Sequence, residues 1–288
     1  MKKVLAMRRI VWVLFPALSL RSHRLFLSRF IFASCCENNP ELAEGYSAFY
    51  TSCVIEFRGL KKRYGRKEVV RGLDLKVPSG TIFGFLGPNG AGKTTTMKMA
   101  VGILNPTDGD IRIGELSASD QRVREHIGFM PEAPYFYDRL TGAEFMRFCG
   151  SLFAKRPSEE HNERLLTLAG IAHAKDRPIA TYSKGMKQRL GFAQALVNDP
   201  DYLFLDEPLD GLDPIGRKEV KDIIRELGTP RRTIFFNSHI LADVEAICDR
   251  IGILHEGRLL YEGPVREFCA GKPLEDRFVE IIERQKKT

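Results

Sequence analysis

The stretch Gly87-Pro88-Asn89-Gly90-Ala91-Gly92-Lys93-Thr94-Thr95 decides the fold of this chain. It fits the pattern G-x-x-x-x-G-K-[ST], in which glycines leave consecutive backbone N–H groups free to face phosphate oxygens. Lys93 supplies a positive charge for the β- and γ-phosphates, and the hydroxyl of Thr94 is placed to bind Mg²⁺. The stretch therefore predicts a site for a nucleoside triphosphate.

The sequence on either side of this loop has the order that a phosphate-binding loop requires. Residues 81–86 form a short apolar run that predicts a buried strand. Residues 95–104 predict a helix that ends before Asn105-Pro106, and its positive N-terminal end adds to the attraction for phosphate. An ordinary glycine turn could match the pattern by chance, but it would not need a strand before it and a helix after it. The order of strand, loop and helix therefore favours the nucleotide site.

Composition places the chain among ordinary globular proteins. Its 288 residues are enough for one or two domains, with 43% hydrophobic and 28% charged residues. Residues 1–53 hold seven Lys and Arg but three Asp and Glu, so more than half of the formal net charge of +7 belongs to this extension. The net charge is therefore weak evidence for a nucleic-acid partner.

Cysteine spacing and hydropathy exclude two further classes. The six cysteines form no C-x-x-C pair and no metal-binding spacing with histidine, which indicates reduced thiols in a cytosolic protein. No apolar run reaches the length of about 20 residues that a membrane-spanning helix requires. We therefore expect any membrane pore that this protein serves to be provided by another chain.

The extension before residue 54 leaves several interpretations open. Residues 1–36 contain no acidic residue, and the apolar stretch Ile10–Leu20, eleven residues long and interrupted by Pro16, resembles the core of a signal peptide. An Arg-rich, acid-poor start is also typical of an organelle transit peptide or a membrane-surface segment. A further interpretation is that translation begins after Met1, because residues 54–60 predict the first strand of the domain. We expect residues 1–53 to be disordered or absent from the cellular protein.

A second apolar run, Tyr202–Leu205, ends in the two acids Asp206 and Glu207. Open α/β sheets deliver ligand groups at the carboxyl ends of buried strands. Asp206 would hold Mg²⁺ directly or through water, and Glu207 could polarise an attacking water as general base. An acid after a strand is also a common helix N-cap, so this pair gains its functional meaning from the glycine loop.

A capped helix is predicted between these two motifs. Ser183 is a good N-cap, and the residues after it form the run Lys184-Gly185-Met186 before an amphipathic stretch. Asn237-Ser238-His239 follows another predicted strand, 233–236. Taken alone, the first pattern indicates an ordinary helix and His239 a capping or structural histidine.

Together these motifs resemble the nucleotide-binding domain of ABC transporters over residues 54–288. Tyr64 occupies the position at which that family stacks an aromatic ring on adenine. The other motifs occur in the order of the family: Walker A (87–95), the signature sequence (182–188), Walker B with the catalytic glutamate (203–207), the D-loop with Asp213 (209–213) and the switch histidine, His239.

The resemblance implies an α/β fold of the P-loop NTPase type, with a RecA-like core, an antiparallel β subdomain and a helical signature subdomain. The core and the antiparallel strands would come from residues 54–131 and 200–260, with Gly109–Gly114 as one antiparallel strand. The helical subdomain would span about 133–198. It opens with the aromatic triplet 135–137, which is predicted either to pack in the core or to border the groove that receives a permease helix.

The resemblance also implies ATP, Mg²⁺ and a second copy of the chain. Two copies would face each other head to tail and bury two ATP molecules. The signature residues of one copy would then meet the γ-phosphate held by Lys93 of the other. His239 would contact the same phosphate and orient water with Glu207. The residues implied are, for the signature in trans, Ser183, Lys184, Gly185 and Met186, and for Mg²⁺, Thr94, Asp206 and Glu132.

Two positions depart from the common pattern of the family. Glu132, on the loop that contacts the permease, stands where many members have glutamine, and a carboxylate still offers Mg²⁺ an oxygen. The signature has Ser183-Lys184-Gly185-Met186 instead of Ser-Gly-Gly-Gln. Both departures, and the C-terminal run 273–280, are similar to the exporter branch that is paired with ABC-2 type permeases.

The predicted function is therefore ATP binding and hydrolysis that power transport, with export as the expected direction, through a separate permease. The protein would lie on the cytoplasmic face of the membrane, and no nucleic-acid partner is expected. The alternative is a soluble ABC-type ATPase that acts on nucleic acid or ribosomes. ABC-type ATPases that act on chromosomes contain long coiled-coil heptads, and those that act on ribosomes usually contain two tandem ATPase copies. The sequence of this chain has neither feature.

Overall fold

Residues 55–286 are the part of the chain that the computed structural model describes. The predictions for residues 1–53, including their disorder and their late translation start, lie outside this range. The described residues contain two β-sheets and a set of helices. The bounds of the predicted nucleotide-binding domain and of its helical subdomain stay predictions.

The central sheet has six strands in the order β10-β9-β3-β8-β7-β6. Every pair in it is parallel except β9 with β10. All residues of β3, β7 and β8 are buried, which explains why these strands are continuous apolar runs in the sequence. The strands are β3 (Ile82–Leu86), β6 (Ile127–Met130), β7 (Tyr202–Asp206), β8 (Thr233–Asn237), β9 (Arg250–His255) and β10 (Arg258–Pro264).

The second sheet is antiparallel, with the order β2-β1-β4-β5. Its first two strands form a hairpin that turns at Gly65, whose φ of 56° lies in the left-handed region that glycine adopts without strain. The strands predicted at 54–60 and 109–114 are confirmed within the described residues as parts of β1 and β4. The strands are β1 (Ile55–Tyr64), β2 (Lys67–Val77), β4 (Asp108–Ile113) and β5 (Leu116–Ser117).

Eight α-helices connect or cover these strands in the described part of the chain. Three of them, α2 to α4, lie within 133–198, the segment predicted to form the helical subdomain. None of the described helices is long and apolar enough to cross a membrane. The helices are α1 (Lys93–Ala100), α2 (Gly142–Gly150), α3 (Glu159–Leu168), α4 (Lys184–Gln194), α5 (Pro214–Leu227), α6 (Leu241–Ile247), α7 (Val265–Cys269) and α8 (Leu274–Lys286).

Helix α1 is shorter at its C-terminal end than the sequence predicts. It ends at Ala100, and Gly102 follows with a φ of 72°. The N–H of Gly102 donates to the carbonyl of Met99 and the N–H of Ile103 to that of Lys98, at 3.1 and 3.0 Å. This pair of bonds is a Schellman motif, so Gly102 and not Asn105-Pro106 ends the helix.

The aromatic triplet 135–137 divides between the core and the surface. Phe136 is buried and packs edge-on against Phe145 of α2, with ring centroids 5.1 Å apart. Tyr135 is 91% exposed, and the exposed Tyr137 packs against the similarly exposed Phe148. One of the three residues therefore serves the core, and two remain on the surface.

Phe235, in the middle of β8, joins the two sheets. Its ring lies 5.2 to 5.6 Å from three aromatic rings of the central sheet and 6.0 Å from that of Phe57 on β1, centroid to centroid. Both Phe235 and Phe57 are fully or almost fully buried. Since rings at these separations attract one another beyond the burial of area alone, this cluster fixes the antiparallel sheet onto the central one.

We predict that Phe235→Ala lowers the free energy of unfolding by about 3–5 kcal/mol, because it removes a buried ring and leaves a cavity. Leu152→Ala is the control, since Leu152 is an exposed apolar side chain, and its cost should stay below about 1 kcal/mol. Urea denaturation of both variants measures the difference. Equal effects of the two substitutions would contradict the role given to Phe235.

Candidate nucleotide site

The candidate site lies at the carboxyl edge of the central sheet. Strands β3, β7 and β8 end there side by side, and the segments that follow them carry the predicted functional residues. A cavity of about 450 Å³ opens at this edge. Its lining combines residues from the ends of all three strands with two from other segments: Val69, Asn89, Gly90, Gly92, Lys93, Thr94, Thr95, Glu132, Glu207, Asn237 and His239.

The glycine loop needs its glycines for steric reasons. A Cβ on Gly87 would lie 2.2 Å from the carbonyl oxygen of Leu254, and one on Gly92 would lie 2.8 Å from that of Val69. Gly92 also has a φ of 109°, a conformation that side chains rarely allow. The loop is therefore held close to neighbouring backbone, with α1 beginning at Lys93.

Lys93 is a buried cation that folds back onto its own loop. It is 8% exposed, and its Nζ donates to the carbonyl oxygens of Gly87 and Pro88 at 2.7 and 3.2 Å. Burial lowers the pKa of Lys93, and the nearby carboxylates of Glu207 and Asp206 oppose this effect. A desolvated ammonium beside two neutral carbonyls is a good partner for an incoming phosphate.

Asp206 is a buried carboxylate whose oxygens are only partly satisfied. Its Oδ1 accepts from Asn237 Nδ2 at 2.5 Å and lies 3.4 Å from the hydroxyl oxygen of Thr94. Its Oδ2 has no hydrogen-bond partner, and neither has Oδ1 of Asn237. Burial raises the pKa of Asp206, so a nearby positive charge would favour its ionised form.

These oxygens fit a magnesium ion. A free carboxylate oxygen beside a threonine hydroxyl is a hard donor set, and Glu132 lines the same cavity with an exposed carboxylate. No group of three or more His, Cys, Asp or Glu side chains within 55–286 is arranged to hold a metal ion. A cation here would therefore complete its shell with water and phosphate oxygens, as Mg²⁺ usually does.

Glu207 and His239 are in direct contact. Oε2 of Glu207 lies 2.8 Å from Nδ1 of His239, at the edge of the cavity. The Glu207 side chain is largely buried, and burial raises the pKa of its carboxyl group, an effect that the charge of His239 opposes. A base with a raised pKa accepts a proton more readily, so the arrangement suits proton abstraction.

The backbone of Glu207 is held in an uncommon conformation. Its φ of 52° lies in the left-handed region, which costs a non-glycine residue about 1–2 kcal/mol. Its N–H donates to the carbonyl of Asn237 at 2.9 Å, and its own carbonyl accepts from Gln188 Nε2 at 2.9 Å. Neither this conformation nor the two partners can be predicted from the sequence, because both depend on long-range packing.

The predicted signature residues lie outside the cavity of their own chain. Ser183 caps α4, since its hydroxyl accepts from the N–H of Met186 at 3.2 Å, which confirms the predicted capped helix. Lys184 pairs with Asp210 at 2.8 Å. None of the described residues that line the cavity comes from 183–186.

Two further predicted residues have local partners instead of cavity contacts. Asp213 caps α5, with its Oδ1 accepting from the N–H of Gly216 at 2.9 Å. Tyr64 is half exposed, with Nζ of Lys62 5.3 Å from its ring centroid, and it does not line the cavity. Conversely, Val69 lines the cavity and was missed, because a single valine on a strand carries no distinguishing signal.

The chain is similar in sequence to known ATP-binding proteins, in agreement with a nucleotide site at this edge of the sheet. The family model described as ABC transporter matches residues 70–210. The bacitracin transport ATP-binding protein BcrA of Bacillus licheniformis is 42% identical over 216 residues, which cover 74% of this chain and 70% of that protein. The chain belongs to the family of ABC transporter ATP-binding proteins. An ABC transporter ATP-binding protein of Synechocystis is 48% identical over 69% of this chain and 58% of its own length.

Solved structures of ABC proteins have the same fold. An ATP-binding subunit of an ABC transporter matches with a TM-score of 0.73 and 30% identity, over 80% of this chain and 99% of that chain. An ATP-bound bacterial Atm1-family ABC exporter, 24% identical, matches in fold with a TM-score of 0.70 over 82% of this chain and 42% of its own. The predicted P-loop NTPase fold, with its separate antiparallel sheet, is confirmed.

The chain spans about three fifths of the length of two cyanobacterial ABC transporter ATP-binding proteins, namely 58% of the Synechocystis protein and 62% of one from Nostoc. The family match includes the glycine loop and residues 206–207 of the site. Family membership therefore gives the fold and the kind of protein. The roles of individual site residues stay predictions.

We predict that Lys93→Ala weakens binding of ATP at least about tenfold, because hydrogen bonds to charged groups contribute about 1.5–3 kcal/mol. Lys98→Ala is the matched control, since it removes an exposed lysine from the same helix. Titration calorimetry measures both affinities. If the two variants bound ATP equally well, Lys93 would not be part of the site.

Proposed function

We propose that the chain is the ATP-binding and ATP-hydrolysing subunit of an ABC transporter. The observation that carries the proposal is the contact between Glu207 and His239 at the edge of a cavity that also contains Lys93. This arrangement places a candidate base beside a phosphate-binding loop. Binding alone would not require a buried carboxylate there, so hydrolysis is the better account.

In the proposed reaction, a water oxygen attacks the γ-phosphorus of ATP and the bond to the leaving oxygen of ADP breaks. Glu207 accepts the proton of the water, and His239 holds the carboxylate through its Nδ1 contact. Lys93 turns from its loop carbonyls to the phosphates and offsets their charge. Bound Mg²⁺, held by Thr94, Asp206 and Glu132, would supply further charge neutralisation.

We propose that a second copy of the chain completes the site. Ser183 to Met186 form the N-terminal turn of α4, an eleven-residue helix, and lie outside the cavity of their own chain. The N–H groups at such a helix end, together with the Ser183 hydroxyl, suit an anion. ATP held in the loop of a partner copy would supply that anion, so each nucleotide would be shared between two chains. Asp213 would lie at the same interface.

A separate integral-membrane permease is the proposed partner. Exposed apolar side chains on the segment 133–198 support this, since such side chains are enriched at interaction sites. They are Tyr135, Tyr137, Phe148 and Leu152. Tyr137 and Phe148 are in edge contact, with centroids 5.5 Å apart. Binding there would place this chain on the cytoplasmic face of the membrane, where ATP is available.

Export is the proposed direction of transport. The bacitracin transport protein of Bacillus licheniformis and a fluoroquinolones export ATP-binding protein of Mycobacterium tuberculosis are 42% and 41% identical to this chain. Glu132 and the Lys184–Met186 variant of the signature also resemble the exporter branch. The transported molecule would contact the permease, so its identity depends on that partner.

We predict that Glu207→Gln abolishes hydrolysis and accumulates an ATP-bound dimer, because the amide keeps the shape of the side chain but cannot accept the proton. Glu226→Gln is the control, since it makes the same chemical change at an exposed position of α5. Size-exclusion chromatography with ATP and Mg²⁺, together with phosphate release, measures both properties. Hydrolysis at the wild-type rate in Glu207→Gln would remove Glu207 as the base.

We predict that the double variant Tyr135→Ser, Tyr137→Ser no longer recovers an integral-membrane permease from detergent-solubilised membranes, while its ATP binding is unchanged. Both side chains are exposed, so their loss should not disturb the core. Val279→Ser, an exposed apolar residue on α8, is the control and should recover the permease. Recovery of ribosomes by the wild type would instead support the alternative function.

A further inference from the structure

Gln188 is a buried polar residue that does not line the cavity. It lies on α4, five residues after Ser183, and its side chain is 5% exposed. Burying an amide costs free energy unless it is hydrogen-bonded. Its Nε2 donates to the main-chain carbonyl of Glu207 at 2.9 Å.

That bond acts on a residue whose backbone is strained. Glu207 has a φ of 52°, and its carbonyl accepts from two groups, Gln188 Nε2 and the N–H of Asp210 at 3.1 Å. Its N–H is bound by the carbonyl of Asn237. A left-handed conformation persists only when surrounding contacts determine it. Without the Gln188 bond, the peptide after Glu207 has one restraint fewer, and the Glu207 carboxylate would shift relative to His239.

The N-terminal half of α4 touches the segment 207–212 at further points. Lys184 forms an ion pair with Asp210, and a Cβ on Gly185 would be 3.5 Å from the carbonyl oxygen of Gly211. The ion pair is solvent-exposed, so it contributes little energy by itself. The buried Gln188 bond is therefore the contact best able to transmit a movement of this helix to Glu207.

We infer that Gln188 is a positioning residue that couples the signature helix α4 to the base Glu207 of the same chain. This inference rests on the proposed function. Ser183, at the start of α4, would contact the ATP held by the partner copy, whereas Gln188, on the same helix, holds the base of its own site. Occupancy of one nucleotide site thereby sets the geometry of the other, and because the two copies are identical, each site acts on the other in the same way.

Gln188→Met tests the inference, because methionine has a similar shape and no hydrogen-bond donor. We expect kcat for ATP hydrolysis to fall about tenfold to hundredfold, since small displacements of a catalytic group cost this much. ATP affinity and the midpoint of thermal unfolding should be unchanged, and the Hill coefficient for ATP should fall toward unity. The variant should also accumulate the ATP-bound dimer, because a displaced Glu207 would hydrolyse the bound ATP slowly.

Gln194→Met is the matched control. It makes the same change on the same helix, at a side chain that has no hydrogen bond in the described structure, and its kcat should equal that of the wild type. Gln188→Leu is a second variant, since it keeps a similar side-chain volume and has no hydrogen-bond donor. It should also lower kcat, and it serves as the test if Gln188→Met does not fold.

Three outcomes would overturn the inference, and they differ from one another. If Glu207→Gln abolishes hydrolysis but both Gln188 variants keep the wild-type kcat and Hill coefficient, the positioning role is wrong and the proposed function stands. If the folded Gln188 variants lose ATP binding together with thermal stability, the residue has a structural role only. Wild-type hydrolysis in Glu207→Gln would overturn the proposed base and this inference together.

Discussion

The register of three parallel strands is the constraint on which the site depends. Asp206 at the end of β7 pairs directly with Asn237 at the end of β8, which in turn lies beside Phe85 of β3. All three strands are buried on both faces, so a shift by one residue would exchange the residues that face each side of the sheet. This register brings Lys93, two acids and His239 together at one edge of the sheet, where Lys93 and Asp206 are buried.

Charges in such a place stabilise a ligand more than they stabilise the protein. Burial lowers the pKa of Lys93 and raises those of Asp206 and Glu207, so each charged form is costly without a partner. Oδ2 of Asp206 lacks any hydrogen bond. The phosphates of a nucleotide would supply negative charge for Lys93, and Mg²⁺ would supply positive charge for Asp206 and Glu207. The backbone conformation of Glu207 is also unfavourable by itself, and contacts from two other elements, α4 and β8, hold it in place.

The sequence predicts the elements of the site better than their mutual contacts. Each apolar run of four or more residues before a motif is a strand, because a strand buried on both faces leaves little choice of residue. The cap at Ser183 is local chemistry and was predicted correctly. The Gln188 bond and the left-handed Glu207 depend on long-range packing, which a pattern of residue types does not contain. The early end of α1 at Gly102 follows a signal that the sequence does contain, since glycine is the preferred residue just after a helix. The division of residues 135–137 between core and surface also depends on long-range packing.

In the proposed dimer, each chain holds half of each nucleotide site. Mixing two inactive variants tests it: Lys93→Ala, with a defective loop, and Gly185→Asp, with a carboxylate where the signature would meet phosphate. A mixed pair contains one intact composite site, formed by the loop of the second variant and the signature of the first. We expect the mixture to regain ATP hydrolysis that neither variant has alone. A Gly185→Asp protein that hydrolyses ATP normally by itself, or a mixture without recovery, would contradict it.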